Sequence, residues 1–238
     1  MSCLYFLQAT SVLVDVELES WCIDPQQIEA AITPRTKAIT VVHQWGHPAQ
    51  MREICRIAQK HGLQIIEDCS HAHGSTYYGQ QVGTFGDIAV FSFQANKIVF
   101  AGEGGILVTN SSELHDRATL LGHYRDRSRD EIVDPFYQQF WVTGYGPKLR
   151  MSPYNAVTAL YAVQALPTRI AQRKRCLEYF SQGLSDLAEL VVPQPKQHID
   201  MGAWYGFKPR YVRTKLHNIS PQLTQELGND RARGLEIQ

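Results

Sequence analysis

Two rhythms share this chain: short apolar runs, and longer stretches where apolar residues return every three or four positions. The runs fall at residues 12–16, 38–43, 64–67, 88–93 and 105–109. Runs this short with little polar alternation suit strands covered on both faces in a parallel sheet. Between them, Asp24 offers an N-cap to a helix over 25–32, with Pro25 at its first position and Gln27 closing a capping box. A turn over 44–48 leads to a second helix ending near His61. Its predicted buried stripe is Met51, Ile54, Cys55 and Ala58, and Gly62 supplies the left-handed stop. Ser111 or Ser112 caps a third helix through Leu121, and no regular period is visible from Gly122 to Gly144. Ser152-Pro153 opens a fourth helix with Ala156, Ala159, Leu160 and Val163 on one face. Pro167 interrupts it, and Ile170, Leu177, Phe180, Leu184 and Leu187 resume the helical spacing. Residues 192–199 read as a loop and 204–212 as a strand. This alternation predicts an α/β fold, a mostly parallel sheet flanked by helices over 1–166. A connector helix and the start of a small α+β domain follow over 167–238.

Composition narrows the class. With 238 residues, 44% apolar and 19% charged, the chain is long enough for one core and part of another. Lys+Arg and Asp+Glu both number 23, so there is no basic field for nucleic acid. The sign-alternating run from Arg125 to Glu131 reads as a solvated loop. No apolar run approaches a membrane span, and no signal-peptide pattern opens the chain. The five cysteines (Cys3, Cys22, Cys55, Cys69 and Cys176) are scattered without a C-x-x-C pair, the usage of reduced cytoplasmic thiols.

Candidate chemistry concentrates at the ends of three strands. Lys97 follows the 88–93 run, flanked by Ala95, Ile98, Val99 and Phe100. A lysine amine condenses with an aldehyde to give a Schiff base. Asp68, ending the 64–67 run, is the carboxylate that a pyridinium nitrogen needs as its charge partner. Ser92 lies where a hydroxyl beside turn N–H groups could hold a phosphate, and Gly102, Gly104 and Gly105 allow the torsions of such a turn. Each residue also has a plainer role: Asp68 as a turn residue, Ser92 as a satisfied core hydroxyl, Lys97 as a solvated cation. His43, His47, His71 and His73 include one H-x-H pair, but no Cys or carboxylate spacing completes a zinc set. No metal is expected, and His43 and His73 are read as structural.

Taken together, these residues form a recognisable series. Glu67-Asp68-Cys69-Ser70-His71-Ala72-His73-Gly74 is followed by Gly83, Gly86-Asp87, Phe91-Ser92-Phe93, Lys97 and Gly102-Glu103-Gly104-Gly105. The series resembles the DegT-type sugar aminotransferases, pyridoxal 5'-phosphate enzymes of fold type I. The resemblance implies that Lys97 forms the Schiff base, Asp68 partners the pyridine nitrogen, His71 stands beside the phenolic oxygen, and Ser92 contacts the phosphate. The segment from Gly144 to Pro153 is similar to a family loop that crosses to the neighbouring subunit of a homodimer. Lys148 would there reach the partner's cofactor phosphate, and Arg150 would support the loop or bind an anion. The implied reaction is transamination of a keto-sugar, nucleotide-linked, or of a keto-cyclitol, with glutamate or glutamine as donor.

The family begins earlier, with a Gly-Thr helix start that holds the phosphate, and no such motif precedes Val12. Residues 232–238 read as a stop before the remaining small-domain elements. The expected fold is therefore a type I large domain incomplete at its N-terminus, with a partial small domain. Two alternatives stand beside transamination. A sugar dehydratase of this group carries histidine in place of the lysine, so Lys97 argues against it; a non-catalytic protein of the same fold is the other.

Overall fold

The computed structural model describes residues 4, 6–123, 125–187, 190–192 and 195–212. Helix α1 (Pro25–Ala31) starts where Asp24 accepts the Gln26 N–H at 2.9 Å. Gln27 donates to the other Asp24 oxygen at 2.9 Å instead of reaching back to the backbone. Strand β1 (Ala38–Val42) follows, then a single 3₁₀ turn at Gln44–Gly46. Helix α2 (Met51–His61) buries Met51, Ile54, Ile57 and Ala58. Ile57 takes the place expected for Cys55, which is only partly buried. Four such side chains contribute roughly 1.5–3 kcal/mol each for the larger ones. Gly62 ends the helix at φ 62°, and Leu63 N–H closes onto the Ala58 carbonyl at 2.9 Å.

Strand β2 (Gln64–Asp68), the short pair β3 (Thr76–Tyr77) and β4 (Gln80–Gln81), then β5 (Ile88–Ser92) and β6 (Gly105–Val108) come next. The main sheet runs β1-β2-β5-β6, its first two pairings parallel and the last antiparallel. Register sets the faces, because side chains alternate along each strand. Ile39, Val41, Ile65, Glu67 and Ala89 share one face and are all buried. Asp68, Val90 and Ser92 lie on the other, together with Val42 and Leu107, which are exposed.

Helix α3 (Ser112–Gly122) is capped by Ser111, whose Oγ accepts the Leu114 N–H. The stretch without visible period contains two short helices, α4 (Asp126–Glu131) and α5 (Pro135–Gln138). They are held locally, by the buried Asp116 carboxylate accepting Val133 and Asp134 N–H and by the Asp134 cap on Phe136. Helix α6 (Pro153–Gln164) starts at the Ser152 cap, and α7 (Leu166–Leu184) follows with Pro167 in its first turn, where proline lacks no needed donor. Strands β7 (Leu190–Val191) and β9 (Arg210–Tyr211) pair with each other, and β8 (Ile199–Asp200) joins β3 and β4.

Two strand expectations change. Residues 12–16 form only an isolated bridge, Val16 to Ile23, because among the described residues no strand lies beside them to complete a ladder. Of the strand expected over 204–212, only Arg210–Tyr211 is extended and paired; Trp204 and Tyr205 leave the pattern in a turn. The expectation for residues 232–238 lies outside the described residues. Two compact units are present: residues 1–176 with 195–207, and 177–194 with 208–238. All that follows concerns the first.

Candidate active site

A buried carboxylate fixes the end of β2. Glu67 Oε1 accepts the Phe85 and Gly86 N–H groups at 2.8 and 2.7 Å, and Oε2 accepts Gly83 N–H at 2.8 Å and His43 Nε2 at 3.0 Å. His43 Nδ1 accepts Ala49 N–H at 3.0 Å, so its proton must sit on Nε2 and point at Glu67. Burial would raise the Glu67 pKa, but His43 and the backbone of Gly83 and Gly86 outweigh it and hold the group below its ordinary value. His43, Glu67 and Cys69 have ligand atoms within 4.8 Å of one another. The Glu67 oxygens are nevertheless filled by four donors, and burial raises the Cys69 thiol far above its ordinary range. The cluster is a structural brace.

The brace presents Asp68, the next residue, on the opposite sheet face. Asp68 Oδ1 accepts Ser70 N–H at 3.0 Å in a local turn. That turn brings His71 forward. Its Nδ1 is buried with no hydrogen-bond partner among the described residues. Burial, reinforced by the Lys97 cation, lowers its pKa to about 4, while Asp68 acts in the other direction. At neutral pH His71 is therefore an uncharged imidazole that senses both Asp68 and Lys97.

Ser92 closes β5 on the same face as Asp68, two residues beyond the position paired with it. Its Oγ accepts Gln94 N–H at 3.3 Å, at the start of the loop that carries Lys97. Phe93 N–H binds the Gly104 carbonyl at 2.8 Å and Ala101 N–H binds the Phe93 carbonyl at 2.7 Å, closing the loop at its neck. Val99 is fully buried in a cluster with Phe93, Ala101, Ala159 and Ala162. Arg169 donates to the Ile98 carbonyl at 2.8 Å and Asn155 to the Glu103 carbonyl at 2.9 Å. Gly105 is required at the neck, since a Cβ there would meet the Phe91 carbonyl oxygen at 2.8 Å.

Lys97 is half-buried, and its Nζ lies 4.5 Å from the centroid of the Tyr205 ring. Tyr205 in turn stacks on His71, with centroids 4.0 Å apart and planes 7° apart. Trp45 stacks beside both rings, at 5.5 Å from His71 and 6.2 Å from Tyr205. The β3–β8 pairing delivers Tyr205 here: Thr76 opposes Asp200, and the chain then crosses Gly74 so tightly that a Cβ on Gly202 would lie 2.7 Å from the Gly74 backbone. Gly46 packs against the carbonyls of Met201 and His71.

Of the five residues singled out from sequence, Asp68, His71, Ser92 and Lys97 therefore come together around one end of the sheet. Lys148 stands on a different segment. It is exposed, on a loop that Tyr145 and Leu149 N–H tie to the Leu120 and Gly122 carbonyls at the end of α3. Sequence reasoning missed Tyr205 and Trp45; the glycines Gly46, Gly202 and Gly206 beside these aromatics are the signal of close packing that could have flagged them. The group implied by the resemblance can be set against these side chains. A carboxylate, a neutral imidazole with an unpaired nitrogen, a hydroxyl and a primary amine form the donor set that a pyridine ring with a phenolic oxygen, an aldehyde and a phosphate would meet. The residues present fit pyridoxal phosphate.

A model described as the DegT/DnrJ/EryC1/StrS aminotransferase family matches residues 2–232. GDP-perosamine synthase of Escherichia coli O157:H7 is 35% identical over 182 residues, 76% of this chain and 48% of the relative. L-glutamine:scyllo-inosose aminotransferase of Streptomyces griseus is 39% identical over 183 residues, 76% of this chain and 43% of the relative. Among solved structures, DesV of S. venezuelae in complex with a ketimine intermediate superposes with a TM-score of 0.74 at 30% identity, covering 95% of this chain and 56% of that one. The chain thus spans about half the length of the curated relatives it matches.

Proposed function

Because this chain belongs to the DegT/DnrJ/EryC1/StrS aminotransferase family, we propose that it binds pyridoxal 5'-phosphate at Lys97 and transfers an amino group to a keto-sugar or keto-cyclitol. The observation that supports this best is the joint placement of Asp68, His71, Ser92 and Lys97 at one end of the sheet. When bound, the cofactor supplies an electron sink for the carbanion formed at the amino-bearing carbon.

The chain's own residues divide the remaining work. Asp68 would pair with the ring nitrogen and keep it protonated. His71 enters uncharged, so its unpaired Nδ1 can hydrogen-bond the phenolic oxygen without adding a cation beside Lys97. Ser92 Oγ would contact the phosphate, and Lys148 would serve a phosphate in a homodimeric partner. Lys97 Nζ is the group that takes the proton from the donor's Cα and later returns one to the product. The amino group leaves a donor such as glutamine or glutamate, which departs as its keto acid, and arrives at the former ketone carbon. The nucleotide-linked keto-sugar reading draws on the GDP-perosamine synthase likeness, the keto-cyclitol reading on the scyllo-inosose enzyme.

Among the described residues no helix is long and apolar enough to cross a membrane, and Cys22, Cys55, Cys69 and Cys176 are unpaired, in keeping with a cytoplasmic enzyme. The test is spectroscopic. Pyridoxal phosphate added to the protein should give a visible absorbance that Lys97→Ala abolishes while weaker, non-covalent binding persists. No lysine-dependent absorbance would leave the non-catalytic reading in its place.

A further inference from the structure

Tyr205 touches two of the four site residues at once, although no sequence motif marked it. Its ring lies parallel to His71 at 4.0 Å, and the Lys97 amine sits 4.5 Å from the same ring centroid. Its hydroxyl donates to Asn96 Oδ1 at 3.2 Å, the residue before the lysine. The segment that bears it is firmly held: Met201, Ala203 and Trp204 are buried, Arg173 donates to the Trp204 carbonyl at 3.0 Å, and Gly206 N–H reaches the Trp45 carbonyl at 3.4 Å. Tyr205 itself is only half-buried. Core packing therefore does not account for an aromatic ring here, whereas two contacts of stated geometry do. A cation over a ring face is drawn by the ring's quadrupole, and a parallel ring fixes the plane of its neighbour.

We propose that Tyr205 is a positioning residue for Lys97 and His71, its ring holding the amine at the site and setting the imidazole plane so that the unpaired Nδ1 faces the incoming cofactor. This rests on the pyridoxal phosphate reading above. The ring is the working part; the hydroxyl merely anchors the ring to Asn96. The ring holds the ammonium in place, and the amine that forms when it gives up a proton to water attacks from that same position. A flexible lysine without this platform samples many rotamers, only some of them at the sheet end, so capture of an aldehyde slows in proportion.

The experiment mixes pyridoxal phosphate with the full chain and follows the rate at which Lys97-dependent absorbance appears, with Lys97→Ala as blank. Tyr205→Leu, which removes the ring and keeps much of the volume, should slow this rate about five-fold, the scale of one cation–π contact. Tyr205→Phe should restore it to within about two-fold, since quadrupole and stacking survive. If the leucine variant does not fold, as judged by circular dichroism, Tyr205→Met is read in the same way. A ring-less variant that captures the cofactor at the wild-type rate overturns the proposal, and so does a phenylalanine variant as slow as leucine. Absence of any lysine-dependent absorbance in the wild type would instead defeat the underlying functional reading, so the two failures are told apart.

Discussion

Replacing Glu67 by glutamine tests whether the buried brace holds the site's frame. The change is nearly isosteric and removes one acceptor oxygen and the charge. Each carboxylate oxygen accepts two donors: Phe85 and Gly86 N–H on Oε1, Gly83 N–H and His43 Nε2 on Oε2. Whichever way the amide is turned, its NH₂ faces two of these donors. His43 cannot rescue one by switching tautomer, because its Nδ1 is already the acceptor for Ala49 N–H. Two buried donors lose their partner, at about 1–3 kcal/mol each, so the variant should lose about 4 kcal/mol. Against a total stability of roughly 5–15 kcal/mol, that loss is large. With a urea slope of about 2 kcal/mol/M, the unfolding midpoint should fall by about 2 M, followed by the fluorescence of Trp45 and Trp204. A midpoint unchanged to within about 0.5 M, a loss of about 1 kcal/mol or less, would show that these hydrogen bonds do not hold the 83–86 turn.

Two further outcomes follow from titrating groups. His71 and His73 both have pKa values lowered from 6.5 to about 4, chiefly by burial. Between those values the unfolded chain binds more protons than the folded one, so stability rises with pH across that window and is lost as pH falls from 6.5 toward 4. For the buried His73 the loss reaches about 3 kcal/mol at most, and His73→Phe, set beside Phe91 and Phe93, should flatten the slope in acid unfolding curves. A variant as acid-sensitive as the wild type would contradict this. Thiol labelling should be graded as well. Burial pushes Cys22 up to about 12 and raises Cys69 further, whereas Cys176 is exposed. Cys176 should react with Ellman's reagent in the native protein, and Cys22 and Cys69 only on unfolding.

The helices and central strands were legible because their signals are local. Asp24-Pro25, Gly62, Ser111 and Ser152-Pro153 each place a cap by chemistry confined to a few neighbouring residues. Asp68, His71, Ser92 and Lys97 were legible as candidates because the ordered series around them is long. Residues 12–16 misled because an apolar run shows strand propensity but not whether a neighbouring strand exists. Trp204 and Tyr205 misled for the same reason, since an aromatic pair beside Phe207 reads as strand until Gly202 and Gly74 turn the chain inward. The His43–Glu67 contact joins residues 24 apart through two parallel strands, a pairing no local pattern announces.

The antiparallel return of β6 has a consequence for how the molecule is assembled. The excursion from Phe93 to Gly104 begins and ends at one point of the ladder, so it closes over a short contour length, without waiting for a crossover helix to dock. The reactive amine rides on that excursion. The neck of that excursion is set by near neighbours in the chain and can close early, whereas the final placement of the amine waits for distant partners, Asn155, Arg169 and Tyr205, to arrive.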